Sequence, residues 1–275
     1  MSESPAQREL RSWANSTLEP PRADDLAVEE PLEVRLGSRS LLVTMRTPGN
    51  DGDLVRGLMF TEGLVASASD VVAVQACRDV PETARGNVVV VSLAQGAVLD
   101  ELRTPRVGLM ASSCGVCGKA SLEAIRSVAP VVAPGPTISG ELVLGLMAEL
   151  RGQQPLFERT GGLHAAGLFD SSGRLLAAAE DIGRHNAVDK VIGQAIRFGA
   201  LPLSDCLLVI SGRAGFEIIQ KARKAGIPVI CSVSAPSSLA VDLAVDGEQT
   251  LVGFLRDDRF NVYAGAERFA EPSGG

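Results

Sequence analysis

An α/β protein with a smaller β-rich N-terminal lobe is the fold class that this 275-residue sequence predicts, on three observations. Apolar residues alternate with polar ones through Leu32, Val34 and Leu36, which is the two-residue period of half-buried strands. From residue 156 onward short apolar runs alternate with helical patterns across brief connections, the grammar of parallel strands with right-handed crossovers. Hydrophobic residues make up 45% of the chain but aromatics only 4%, so the core must be built from Val, Leu, Ile and Ala.

Residues 1–27 are polar and interrupted by prolines, and are expected to form a flexible tail. Residues 28–106 form the predicted β-rich lobe. Strands are expected around the Leu36-Gly37-Ser38 turn and at 71–74 and 88–93, with a short helix at 54–60 after the Pro48-Gly49-Asn50-Asp51-Gly52 break. Residues 107–120 are mostly small and lack periodicity, which predicts a mobile loop. Residues 121–275 form the predicted α/β domain. Its elements are a helix at 139–150 with Ser139 as N-cap, a hairpin of 163–169 and 174–179, helices at 186–198, 216–225 and 237–245, and strands at 206–210, 227–233 and 250–254.

A formal charge of −7 speaks against general binding of nucleic acid or membrane surfaces. No segment reaches the roughly 20 apolar residues needed to span a bilayer, and no signal peptide is visible, so a soluble cytoplasmic protein is expected. The five cysteines are an odd set for a disulfide framework. Cys206 and Cys231 lie in apolar strand-like runs and read as core, and isolated Cys77 as structural.

Cys114-Gly115-Val116-Cys117 carries the sharpest chemistry. The two-residue spacing serves redox motifs and half zinc sites alike, but no second pair completes four ligands, so neither zinc nor another metal site is expected. A helix onset after Cys117, with Lys119 near, would favour a thiolate, and flanking glycines would let it swing between partners.

Ligands of a parallel sheet bind beyond the carboxyl ends of its strands. Four polar loops are expected there: 180–186 with Asp181, Arg184, His185 and Asn186; 211–215 with Ser211, Gly212 and Arg213; 234–238 with Ser234; and 254–259 with Phe254, Leu255, Arg256, Asp257, Asp258 and Arg259. Helix starts and arginines suit phosphate or a purine edge. His164, behind Gly161-Gly162, is expected beside the same pocket.

Several long motifs in one order resemble the FdhD/NarQ family of formate dehydrogenase accessory sulfurtransferases, from about Glu30 to the end. They are Phe60-Thr61-Glu62-Gly63, Ser113-Cys114-Gly115-Val116-Cys117-Gly118-Lys119, Thr160-Gly161-Gly162-Leu163-His164-Ala165-Ala166, the run from Glu180 to Lys190, Ser211-Gly212-Arg213, the run from Ser234 to Ala240, and Leu251-Val252-Gly253-Phe254. The resemblance implies a cytidine-deaminase-like C-terminal domain and a cytoplasmic homodimer. It implies that a cysteine desulfurase loads persulfide sulfur, with Cys114 in the position of the carrier and Cys117 its partner. The sulfur would pass to molybdenum cofactor, as bis-molybdopterin guanine dinucleotide held near 254–259, for the benefit of formate dehydrogenase. Unlike deaminases, the chain follows His164 with Ala165-Ala166 and has no Glu there, so their zinc chemistry is not expected. A thiol–disulfide oxidoreductase and a cofactor-binding chaperone without sulfur transfer stand as alternatives.

Overall fold

The computed structural model describes residues 5–100, 109–110 and 131–270. The Cys114–Cys117 motif and most of the loop expected at 107–120 lie outside them; of that loop, 109–110 are described and form a short strand.

The chain opens with β1 (Ala6–Leu10), β2 (Trp13–Ala14), β3 (Thr17–Leu18) and β4 (Arg22–Leu26). β1 pairs antiparallel with β4, and β2 with β3. Within the expected tail, residues 6–26 therefore pair into short ribbons. Its strands bury little, so they carry no apolar alternation for a sequence reading to find.

The N-terminal sheet follows, with β5 (Glu30–Leu36), β6 (Arg39–Arg46), helix α1 (Asp51–Thr61), β7 (Val71–Ala76), β8 (Val88–Leu93) and β9 (Leu109–Met110). Its strand order is β7-β8-β5-β6-β9. Asp51 and Asp53 stand in the first turn of α1, where negative charge is favoured by the helix dipole.

Helix α2 (Gly140–Arg151) begins as the sequence predicts, with the Ser139 hydroxyl accepting from the Leu142 N–H at 3.2 Å. A short helix α3 (Pro155–Thr160) that the pattern does not announce leads into β10 (His164–Asp170) and β11 (Leu175–Asp181). Then come α4 (Arg184–Arg197), β12 (Cys206–Ile210), α5 (Phe216–Lys224), β13 (Val229–Ser232), α6 (Ser238–Asp246), β14 (Thr250–Gly253) and β15 (Asn261–Ala264). The second sheet runs β11-β10-β12-β13-β14-β15. β12, β13 and β14 are parallel, as the crossover pattern requires, and β15 returns antiparallel beyond the strand expected to be last.

Side-chain alternation divides this second sheet between two cores. Ala166, Leu168, Leu208, Ile210 and Ile230 face α4 and α5, whereas Ala165, Phe169, Leu207, Val209 and Cys231 face α2. The first of these cores also takes in Leu32, Val34, Leu54 and Met59 of the N-terminal lobe, so the two lobes share one interior. Each fully buried Leu or Ile contributes about 1.5–3 kcal/mol to that union. Helices α1 and α4 lie at its centre and are buried on nearly every side.

Candidate functional site at the carboxyl edge of the second sheet

Strand register brings the expected loops to one edge. His164, at the start of β10, pairs with Asp181 at the end of β11, and Ala166 pairs with Ile210 at the end of β12. Ile210 lies beside Ser232, and Gly253 beside Asn261. The ends of β11, β12, β13 and β14 thus converge with the start of β10.

A chain of hydrogen bonds ties these loops together. The Ser232 hydroxyl donates to the Gly212 carbonyl at 2.7 Å and receives the Ser234 N–H at 3.2 Å. Phe254 N–H donates to Ser234 O, and Leu255 N–H to Ser232 O. The Arg256 guanidinium donates to Val233 O at 2.6 Å and Leu255 O at 2.8 Å. The Ser211 hydroxyl accepts the Ala165 N–H at 2.9 Å, locking the 211–215 loop to β10.

His164, Arg184 and Gly212 meet at the centre. A Cβ on Gly212 would stand 3.2 Å from His164 Nδ1, tight enough that the imidazole would have to give, and in ordinary contact at 3.6 Å with Arg184 Cβ. Burial lowers the His164 pKa, the Arg184 charge lowers it further, and Asp181 opposes them; the imidazole is held neutral at neutral pH. The Arg184 Nε is buried and has no hydrogen-bond partner among the described residues. A buried guanidinium N–H left open points to an acceptor supplied by a ligand.

Helices α4 and α5 start here at Gly183 and Gly215, neither of which has a side chain to cap them, so the positive ends of both helix dipoles face this edge. α6 differs, because the Ser237 hydroxyl already accepts from Ala240 N–H. Arg213, Phe254, Asp258 and Arg259 are exposed at the rim, and Asp257 is paired with Arg151 at 3.1 Å. Phe254 adopts φ +53°, a left-handed backbone that is costly for a residue with a side chain and gathers at functional sites.

Four of the expected binding side chains are buried. Asp181 is fully buried and accepts from Thr47 N–H, Gly183 N–H, Asn186 Nδ2 and the Lys190 ammonium, the last at 2.8 Å. Asn186 Nδ2 also donates to Met45 O at 2.7 Å, and Lys190 to Thr47 O at 3.0 Å. The side chains of Asp181 and Asn186 therefore join the end of β6 to the start of α4 through bonds to protein partners. Leu255 is fully buried in the core under α2, so its side chain cannot meet a ligand. His185 is buried with Nε2 3.8 Å from Glu217 Oε2. Nothing in the sequence signals Thr47 or Glu217, because the partners they meet lie on distant elements.

No helix among the described residues is long and apolar enough to cross a membrane, and they hold no cluster of three or more His, Cys, Asp or Glu placed for a metal.

The family model of the FdhD/NarQ family matches residues 27–270. Among curated relatives, the sulfur carrier protein FdhD of Nocardia farcinica is 51% identical over 258 residues, covering 92% of this chain and 91% of that protein. The protein of the same name from Streptomyces avermitilis is 49% identical, covering 95% of this chain and 93% of its own. That from Mycobacterium tuberculosis is 51% identical, with 90% and 92% covered. A crystal structure described as a formate dehydrogenase accessory protein, from Desulfotalea psychrophila, superposes with a TM-score of 0.76 at 23% identity, covering 97% of this chain and all of that one. A model match along nearly the whole described chain and identities near one half make this chain a member of the FdhD/NarQ family.

Proposed function

We propose that this protein is a cytoplasmic sulfur carrier acting for formate dehydrogenase, which takes sulfur onto Cys114 and delivers it to molybdenum cofactor bound at the carboxyl edge of the second sheet. The cofactor, as bis-molybdopterin guanine dinucleotide, is the substrate. Relatives near 50% identity that bear the name sulfur carrier support the first half of this reading. The observation that carries the second half is the open, buried Arg184 Nε beside neutral His164 and the uncapped starts of α4 and α5. Such a set fits a phosphate-bearing ligand: amides and guanidiniums for its charge, an imidazole for a neutral hydrogen bond, and the exposed Phe254 ring for a flat heterocycle.

Loading is an exchange between sulfurs. The Cys114 thiolate attacks the outer sulfur of a cysteine desulfurase persulfide; the donor's S–S bond breaks, its cysteine leaves as thiolate, and a new S–S bond forms on Cys114. No external oxidant is needed. Met110 pairs with Thr44 of β6, the strand whose end is bound to Asp181 through Thr47. Cys114 is four residues further along the chain, a reach of at most about 14 Å. The second sheet and its helices are read as cytidine-deaminase-like without that family's zinc, and the assembly as a homodimer.

Mass spectrometry after incubation with a cysteine desulfurase and cysteine tests loading. The expected result is a reducible gain of roughly 32 Da, one sulfur atom, that Cys114→Ala abolishes. A thiol–disulfide oxidoreductase, or a chaperone that only hands cofactor on, would show no such gain. Calorimetry with GDP tests the pocket separately. Arg213→Ala or Arg259→Ala should weaken GDP by about tenfold or more while sulfur still loads, since a charge-assisted hydrogen bond is worth about 1.5–3 kcal/mol. Unchanged GDP affinity in both would move the ligand away from this edge.

A further inference from the structure

The outer edge of the N-terminal sheet carries a second, unrelated surface. β7 is the terminal strand of that sheet, so one row of its N–H and C=O groups has no strand partner among the described residues. Its register with β8 shifts between Val71 and Ala73, and Val72 there is 61% exposed. At the first two residues of the strand, Val71 and Val72, opens a groove of about 400 Å³. Val71, Val72, Ile196 and Leu201 give it an aliphatic side, Ser67 and Ser69 a polar one, and Arg56 and Arg197 stand in its wall.

Charge decides what such a groove can hold. No carboxylate is among the residues that line it, although the chain carries a net −7. Arg197 is already committed to Asp53 through bonds of 2.8 and 3.1 Å. Arg56 is the available cation, since among the described residues its guanidinium donates to the Gly52 carbonyl alone, at 3.3 Å. An edge strand beside apolar pockets and a cation is the arrangement that accepts an added strand, with main-chain bonds giving affinity and alternate side chains giving specificity.

We propose that β7 docks an extended segment of a partner protein in which acidic and aliphatic residues alternate. Ala73–Ala76 would pair with its backbone, its aliphatic side chains would fill the groove beside Val72, and a carboxylate would meet Arg56. A single small anion would leave the aliphatic lining unused, and a helix could not satisfy the strand edge.

The test is a selection of random twelve-residue peptides displayed on phage against the full chain, repeated against Arg56→Glu and Val72→Asp. Val72 is exposed and Arg56 half-buried, and Arg56→Gln controls for the reversed charge. Expected are peptides that alternate Asp or Glu with aliphatic residues, that lose at least tenfold in affinity on Arg56→Glu, and that slow amide exchange of residues 73–76 at least tenfold. Failure to enrich any sequence, enrichment of basic peptides, or binding indifferent to both variants overturns the proposal. A dimer that dissociates on Val72→Asp overturns it too, by assigning the face to a second copy of the chain.

Discussion

Gly57 of α1 packs directly on the backbone carbonyl of Asp189 in α4, in a space where no Cβ fits. The contact is reciprocal, because Gly193 of α4 packs in the same way on the carbonyl of Asp53. Each helix thus offers an Asp and, four residues later, a Gly to the other. Side chains at that spacing share a helix face, so the two helices can cross with backbones nearly touching. Gly57→Ala or Gly193→Ala must separate them and should cost about 1–3 kcal/mol or more, as overpacking against rigid backbone does. Urea denaturation should show the loss as a lowered midpoint. Gly145→Ala, in an exposed position of α2 with open space around it, should instead stabilise by about 0.5–1 kcal/mol through helix propensity.

A second prediction concerns the ion pair beneath that crossing. The Lys221 ammonium, from α5, bonds both Asp189 oxygens at 3.0 and 2.9 Å and the Thr61 hydroxyl at 3.0 Å. Burial works to lower the Lys221 pKa, but Asp189 and Glu62 outweigh it and hold it above its ordinary value. Lys221→Met strands a buried carboxylate and should cost about 3–5 kcal/mol. Adding Asp189→Leu should recover much of that loss. A double-mutant cycle that proves additive would show the pair is not coupled.

The β10–β11 hairpin turn gives a prediction in acid. The Ser172 hydroxyl bonds the Asp170 carboxylate at 2.6 Å, and with Arg174 holds its pKa at about 2 against an ordinary 3.8. A depressed carboxylate stabilises the fold above its unfolded value and loses that contribution as pH falls from there through about 2. Carbon NMR should therefore find Asp170 titrating near 2, and Ser172→Ala should move it upward. Asp170→Asn should flatten the dependence of stability on pH in this window.

His164 supplies the fourth. Burial depresses its pKa most and Arg184 next, so Arg184→Ala should raise it part of the way back toward 6.5. Proton NMR of the imidazole measures this directly. A shift downward would mean that Arg184 acts on His164 by something other than its charge.

The fifth concerns Phe254. Its φ of +53° suits glycine, so Phe254→Gly should keep or slightly raise thermal stability while removing the exposed ring. If the ring is a stacking surface, GDP affinity should nevertheless fall, by about 1–3 kcal/mol as for aromatic–base stacking.

Much of this fold is legible from pattern alone. Strand Cys206–Ile210 is bounded as its apolar run predicts, and the Ser139 cap and the β10–β11 hairpin follow from local chemistry. Local chemistry also explains what is missed. β15 and the N-terminal ribbon are mostly exposed, and a strand that buries little leaves no period to read. At the site, Asp181 and Asn186 sit in a polar loop and resemble ligand donors. Their actual partners, Thr47 and Met45, are 134 and 141 residues away. A polar side chain bonds a ligand or a distant strand with the same atoms, and sequence does not distinguish the two. The Cys114–Cys117 motif is the reverse case, readable in sequence and outside the described residues.

The crossing of α1 and α4 also has a consequence for biogenesis. Thr61 and its partner Asp189 are 128 residues apart, so this close helix packing closes a long loop. At about 5–20 residues per second, a ribosome leaves the apolar surface around Gly57 waiting on the order of ten seconds for the helix that covers it. During that interval the nascent N-terminal lobe is a ready substrate for a holdase.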